Sequence, residues 1–231
     1  MLKIVVPKSE EQERFLKLID TKPVTVCLGM NATGKTYLAL YKGLQYLCDE
    51  KNKIKRIVCM TPLISEKYGE DKVIAAIPGD VTDKILPYNM GMIDAIEHLL
   101  AESEYKKIME NKYIKFEAMS LLRGRSMRNT YIYADECQLI KNRGNSSAIH
   151  LLLTRMSANS KIVITADPYN GDFTQTDLYA ILKKIKHIDD IGICTMTNPD
   201  NTFRHPVVRK ILRALYPGQE EREGVLTWLK S

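Results

Sequence analysis

Long apolar runs are missing from this chain of 231 residues, and no stretch approaches the length that crosses a bilayer. The N-terminus, Met1-Leu2-Lys3-Ile4-Val5-Val6-Pro7, is too short for a secretion signal and has no small-residue cleavage site before the acidic run that follows. Cysteine is sparse: Cys27, Cys48, Cys59, Cys137 and Cys194 form an odd set with no C-x-x-C pair. Cys27, Cys59 and Cys194 fall in apolar, strand-like runs, the usage of buried free thiols in a reducing cytosol rather than of a disulfide framework. His98, His150, His187 and His205 lie far apart without metal-ligand spacing, which argues against a zinc site. Internal repeats, low-complexity segments and a domain linker are also absent, so residues 1–231 read as one domain with a helical insertion at about 65–120. A soluble, cytoplasmic protein is expected. The net charge of +6, spread along the chain, permits a polyanionic partner without demanding one.

What is present is one loop with a recognisable spacing, Gly29-Met30-Asn31-Ala32-Thr33-Gly34-Lys35-Thr36, which fits G-x-x-x-x-G-K-[ST]. The β-branched run Val24-Thr25-Val26-Cys27-Leu28 precedes it, and Tyr37-Leu38-Ala39-Leu40-Tyr41 continues with helical spacing. Strand, tight loop and helix in that order aim backbone N–H groups and the positive end of a helix at one point, which is what a phosphate chain needs. The pattern predicts a nucleoside triphosphate site in which Lys35 reaches the β- and γ-phosphates and Thr36 offers its hydroxyl to Mg²⁺.

The rest of the chain can be placed around that loop. Ser9-Glu10-Glu11-Gln12 has a capping pattern, with Phe15, Leu16 and Ile19 as the apolar face of a first helix. Gln12 is open to two readings, an exposed polar residue or an amide held against an adenine edge. Further strands are expected at Ile57–Thr61, Ile114–Ala118, Thr130–Glu136, Lys161–Asp167 and Ile193–Thr197, and a terminal helix from Val207 to about Tyr216 behind Pro206. Lys183-Lys184-Ile185-Lys186-His187 is a basic run that suits a solvated helix face.

Two carboxylates close one of these strands: Thr130-Tyr131-Ile132-Tyr133-Ala134 leads into Asp135-Glu136. With a phosphate loop upstream, such a pair suits Mg²⁺ binding at Asp135 and orientation of a water at Glu136. Gln138 is placed to sense a γ-phosphate or to cap the next segment. Thr165 and Asp167 end a neighbouring strand, where ligands of open parallel sheets lie.

Taken together, Gln12, the loop from Gly29 to Thr36, Met60-Thr61-Pro62, Asp135-Glu136-Cys137-Gln138 and Thr165-Ala166-Asp167 resemble the first motor domain of superfamily 1 helicases. Adding Ile77-Pro78-Gly79-Asp80, Leu122-Arg123-Gly124-Arg125, Leu153-Thr154-Arg155 and Phe203-Arg204-His205-Pro206-Val207-Val208, the chain resembles the PhoH family of phosphate-starvation-inducible ATPases. The resemblance implies an α/β, RecA-like P-loop NTPase with a mostly parallel sheet of five or six strands flanked by helices. It implies ATP and Mg²⁺ as ligands, single-stranded RNA or DNA as partner, and a homo-oligomeric ring such as a hexamer. Carried over residue by residue, Gln12 reads adenine, while Gly29, Met30, Asn31, Ala32, Thr33, Gly34, Lys35, Thr36 and Tyr37 surround the nucleotide. Thr36 and Asp135 hold the metal, and Glu136 serves the water. Gln138 and Asp167 couple the γ-phosphate to motion. Arg204, and Arg155, Arg123 or Arg125 from a neighbouring subunit, are candidates for the phosphates.

The chain departs from the family at Asn31 and Ala32, where glycine is usual, and at Ala166-Asp167-Pro168-Tyr169-Asn170 in place of Gly-Asp-x-x-Gln. An Ala at positive φ costs about 1 kcal/mol relative to Gly. Such drift suits a short, divergent phage-type member, and it leaves a second reading open: a nucleotide-binding switch with little turnover that regulates a partner. A small-molecule kinase is disfavoured because residues 65–120 contain no arginine for a lid.

Overall fold

The computed structural model describes residues 1–62, 84–119, 126–141, 147–202, 204–216 and 226–229. The sequence motifs at 77–80 and 122–125, and Phe203, lie outside them. Six parallel strands form the sheet: β1 Val24–Gly29, β2 Arg56–Met60, β3 Ile114–Phe116, β4 Thr130–Ala134, β5 Lys161–Ala166 and β6 Ile191–Met196. Their spatial order is β3-β2-β4-β5-β1-β6. The loop-bearing strand β1 therefore sits inside the sheet, with Cys27 in register with Thr165 of β5 and with Cys194 of β6.

Alternation along these strands sorts side chains to two faces. Cys27, Ile57, Cys59, Tyr131, Tyr133 and Val163 face a core shared with helices α1 (Glu10–Thr21), α2 (Lys35–Cys48), α3 (Met90–Leu99) and α4 (Glu102–Glu110). Val26, Leu28, Ile132, Ala134, Ile162 and Ile164 face a second core, closed by α5 (Ala148–Leu153) and α6 (Asp177–Ile185). Because both faces are covered, the central strands read as near-continuous apolar runs. Burying one such Leu or Ile contributes roughly 1.5–3 kcal/mol.

Helix starts follow the local chemistry. Ser9 caps α1 by accepting the Gln12 N–H at 3.3 Å, and Thr176 caps α6 by accepting that of Tyr179. The terminal helix α7 (Pro206–Leu215) begins at Pro206, where the missing N–H and fixed φ do no harm. The expected insertion contains α3 and α4 and returns to the sheet as β3, three residues long at the edge. Among the described residues no helix is long and apolar enough to cross a membrane.

Candidate functional site

The loop leaves β1 at the carboxyl end of the sheet and is fixed by its neighbours before any ligand is considered. The Met30 N–H donates to the Met196 carbonyl of β6 at 2.9 Å. At Gly29, a Cβ would lie 2.6 Å from that same carbonyl oxygen and 2.7 Å from the Met196 Cβ, so no larger residue fits without moving the strand. Ala32 adopts φ 67° and Gly34 φ 91°. Ala32 thus carries the left-handed strain that its sequence position raised as a question. Gly34 is the N-cap of α2 and supplies no side chain, so the first N–H groups of this 14-residue helix point outward uncapped.

Gln12 is not an exposed residue of α1. It is 4% exposed, and its Nε2 donates to the Thr33 carbonyl at 2.9 Å while its Oε1 accepts the Lys8 N–H at 2.8 Å. A primary amide has two N–H groups and two carbonyl lone pairs, so one of each is left for a base edge. Thr33 is also buried, its hydroxyl donating to the Met30 carbonyl at 2.8 Å. The Lys35 ammonium is folded back on the loop and donates to the Gly29 and Met30 carbonyls, both at 2.8 Å. Tyr37 turns its ring away to α3, where its hydroxyl meets His98 Nδ1 at 3.0 Å.

At the ends of β4 and β5, a polar network answers the loop. The Thr36 hydroxyl donates to Asp135 Oδ2 at 2.7 Å. The other oxygen, Oδ1, accepts the Thr165 hydroxyl and the Glu136 N–H. Thr165 thereby supports Asp135 instead of facing the loop, and the buried Tyr133 hydroxyl meets Thr165 at 2.9 Å. Glu136 adopts φ 53°, a left-handed conformation that turns the chain after the strand. Its Oε2 accepts Nε2 of Gln138 at 2.5 Å, and Gln138 Oε1 accepts the Asp167 N–H at 2.9 Å. Asp167 in turn accepts the Tyr169 N–H at 2.9 Å.

The charges in this network are perturbed. Burial, and then the adjacent Asp135 charge, raise the Glu136 pKa above the ordinary glutamate value. Burial also raises that of Asp167, opposed by the Lys35 charge and by N–H groups of Tyr169 and Asn31. Thr36 and Asp135 bring together adjacent hard oxygens from two elements, the donor type a divalent cation takes. Glu136 is the group suited to accept a proton.

The two described arginine candidates go to different places. Arg204 is exposed on the segment that follows β6, on the carboxyl side of the sheet. Arg155 lies beyond the amino ends of β4 and β5, where its carbonyl accepts the Met127 N–H and Met127 bridges to Met156. Its Nε is buried without a hydrogen-bond partner among the described residues. The Gly29–Thr36 loop of the same chain is at the other end of the strands, away from Arg155.

One contributor escaped the sequence reading. Glu11 accepts the Thr197 N–H at 2.9 Å and the Asn201 amide at 2.8 Å, tying α1 to the segment after β6. On sequence it was only an acidic first-turn residue. The polar tip of Tyr133 was the available signal for Thr165, since a phenol in a buried strand requires a partner.

The family pattern described as PhoH-like protein matches residues 4–216. A PhoH-like protein of Synechocystis is 29% identical over 91% of the chain and 62% of its own length. One from Mycobacterium leprae is 30% identical over 96% and 61%, and one from Bacillus subtilis 29% over 90% and 62%. The chain thus spans about six-tenths of these relatives. Among solved structures, the large terminase of a thermophilic bacteriophage superposes with a TM-score of 0.55 at 14% identity, over 94% of this chain and 52% of that one. That likeness is one of fold, the P-loop NTPase sheet.

Proposed function

The chain belongs to the PhoH-like protein family, and from that premise we propose that it binds ATP with Mg²⁺ and hydrolyses it. In this reading hydrolysis is coupled to single-stranded RNA or DNA, and the chain acts as one RecA-like motor domain within a homo-oligomeric ring. The observation that carries the reading is the unbroken hydrogen-bonded path from Thr36 through Asp135, Glu136 and Gln138 to Asp167, set opposite Lys35.

Each residue then has a task. Lys35 exchanges the Gly29 and Met30 carbonyls for β- and γ-phosphate oxygens, and the uncapped N–H groups of α2 receive the same phosphates. Thr36 and Asp135 would hold Mg²⁺, which neutralises charge on the phosphate oxygens. Glu136, with a raised proton affinity, takes the proton of the attacking water. Gln138 joins Glu136 to the backbone of Asp167, so loss of the γ-phosphate is felt at both strand ends. Gln12 uses its remaining N–H and lone pair on adenine. An arginine from a neighbouring subunit completes the charge, for which Arg155 suits the geometry because it cannot serve its own loop; Arg204 is the alternative.

The test is phosphate release from ATP and Mg²⁺, alone and with single-stranded RNA or DNA, in the native protein, Lys35→Ala and Glu136→Gln. Turnover that rises with nucleic acid and disappears in both variants is the expected result. ATP binding through Lys35 with equal inertness of the native protein and Glu136→Gln would move the reading to a nucleotide switch. The strain at Ala32 and the closed position of Lys35 are the features that favour that second reading.

A further inference from the structure

Immediately after Asp167 the chain enters a groove of about 380 Å³ that the catalytic network does not use. Its walls are aromatic: Tyr169, Phe173, Tyr179, Tyr216 and Trp228. Tyr169 and Tyr216 lie with ring centroids 5.0 Å apart, and Tyr179 meets Trp228 edge to face at 5.0 Å. Tyr169, Tyr179, Tyr216 and Trp228 are each partly exposed and line the groove.

We propose that this groove is a nucleobase-stacking site that holds a single strand of RNA or DNA and passes its presence to the catalytic carboxylates. The proposal rests on the motor reading above and adds where the strand sits. Partly exposed aromatic residues along a groove suit base stacking, the means by which single strands are held without sequence readout. The surrounding charge suits the phosphates. Lys183 stands 5.6 Å above the Tyr179 ring, Lys184 beside it is exposed, and Lys186 donates to the Trp228 carbonyl at 2.7 Å. The basic run at 183–187 thereby acquires a role. Helix α7, which brings in Tyr216, adds exposed Arg209 and Lys210, while Arg213 is engaged by Asp200. Asp172 also lines the groove, its oxygens taken up by Thr174 and Gln175. Its charge repels phosphate, which orients the bases inward and the backbone toward the lysines.

The connection to chemistry is short. The Tyr216 hydroxyl donates to the Tyr169 carbonyl, and the Tyr169 N–H donates to Asp167. The Asp167 N–H donates to Gln138, and Gln138 donates to Glu136. A base that shifts the Tyr169 ring therefore pulls on the residue that positions Glu136.

Trp228 is the chain's one tryptophan, so its emission reports on the groove alone. Titrating the full chain with oligouridine or oligodeoxythymidine should quench it. Tyr169→Leu, which keeps bulk and loses the π-face, should weaken half-saturation about tenfold, whereas Tyr169→Phe stays within about twofold. Lys183→Gln, an exposed change that keeps the fold, should lower the slope of log affinity against log salt by about one. If oligonucleotides raise ATP turnover in the native protein but leave Trp228 emission, the Tyr169→Leu affinity and the Lys183→Gln salt slope unchanged, the groove is packing only and the proposal falls while the motor stands. If Lys35-dependent turnover is present and no oligonucleotide binds or stimulates, coupling to nucleic acid falls with it.

Discussion

Two lysines at opposite ends of the sheet make nearly the same bonds and differ in what surrounds them. At the carboxyl end, Lys35 donates to the Gly29 and Met30 carbonyls. At the amino end, Lys161 donates to those of Ile19, Asp20 and Lys22. The carbonyls around Lys161 belong to the last turn of α1 and the residue after it, groups with no helical partner of their own, beside a negative helix end. The carbonyls around Lys35 belong to a loop whose other features all favour an anion: an uncapped helix N-terminus, two residues at positive φ and nothing negative of its own. Across from Lys35 stand Asp135, Glu136 and Asp167, whereas Lys161 has the Asp20 carboxylate near it, which opposes the lowering of its pKa by burial. Identical donors thus close a helix end in one place and sit in an anion-favouring loop in the other, where the proposed function has Lys35 exchange its carbonyls for phosphate.

That contrast can be broken or sharpened by substitution. Glu136→Gln should reduce ATP turnover by roughly 10²–10⁴-fold while ATP still binds, as read by phosphate release beside nucleotide titration. Lys35→Ala should reduce turnover about 10²–10³-fold and weaken ATP binding as well, with little change in urea-induced unfolding. Lys161→Met should do the reverse, costing about 1–3 kcal/mol of stability by stranding three carbonyls while turnover persists. Equal behaviour of the two lysine variants in both assays would erase the distinction. Ala32→Gly should release up to about 1 kcal/mol of left-handed strain, visible as a rise in the unfolding midpoint.

A pH dependence separates the two ends further. Glu136 and Asp167 have raised pKa values, so between the unfolded and folded values the native state holds more protons. Stability therefore falls as pH rises through that window. Glu136→Gln should flatten that fall in unfolding experiments. If Glu136 acts ionised as proposed, the acid limb of kcat/KM, which reports the free protein, should lie above the ordinary glutamate range.

The strands were legible in the sequence because a sheet covered on both faces writes itself as β-branched, apolar runs, and the loop because its spacing is local. Gln12 was not legible: three residues after Ser9 it fits an exposed helical position as well as a buried one, and only the approach of Thr33 decides. The fate of Arg155 was equally hidden, since its end of the sheet depends on how α5 leads into β5. The pairing of Gln138 with both Glu136 and Asp167 joins two strands far apart in sequence, and no periodicity encodes it.

The contact between Gly29 and Met196 bears on how mutational scans of this chain should be read. Every substitution at Gly29 should score as loss of function, as it should at Lys35, yet for another reason: the new Cβ pushes on β6 before any phosphate arrives. A scan scored by turnover alone would merge the two positions into one nucleotide-binding signature. Scored in parallel for abundance, Gly29 would group with the core residues of the sheet and Lys35 would remain apart.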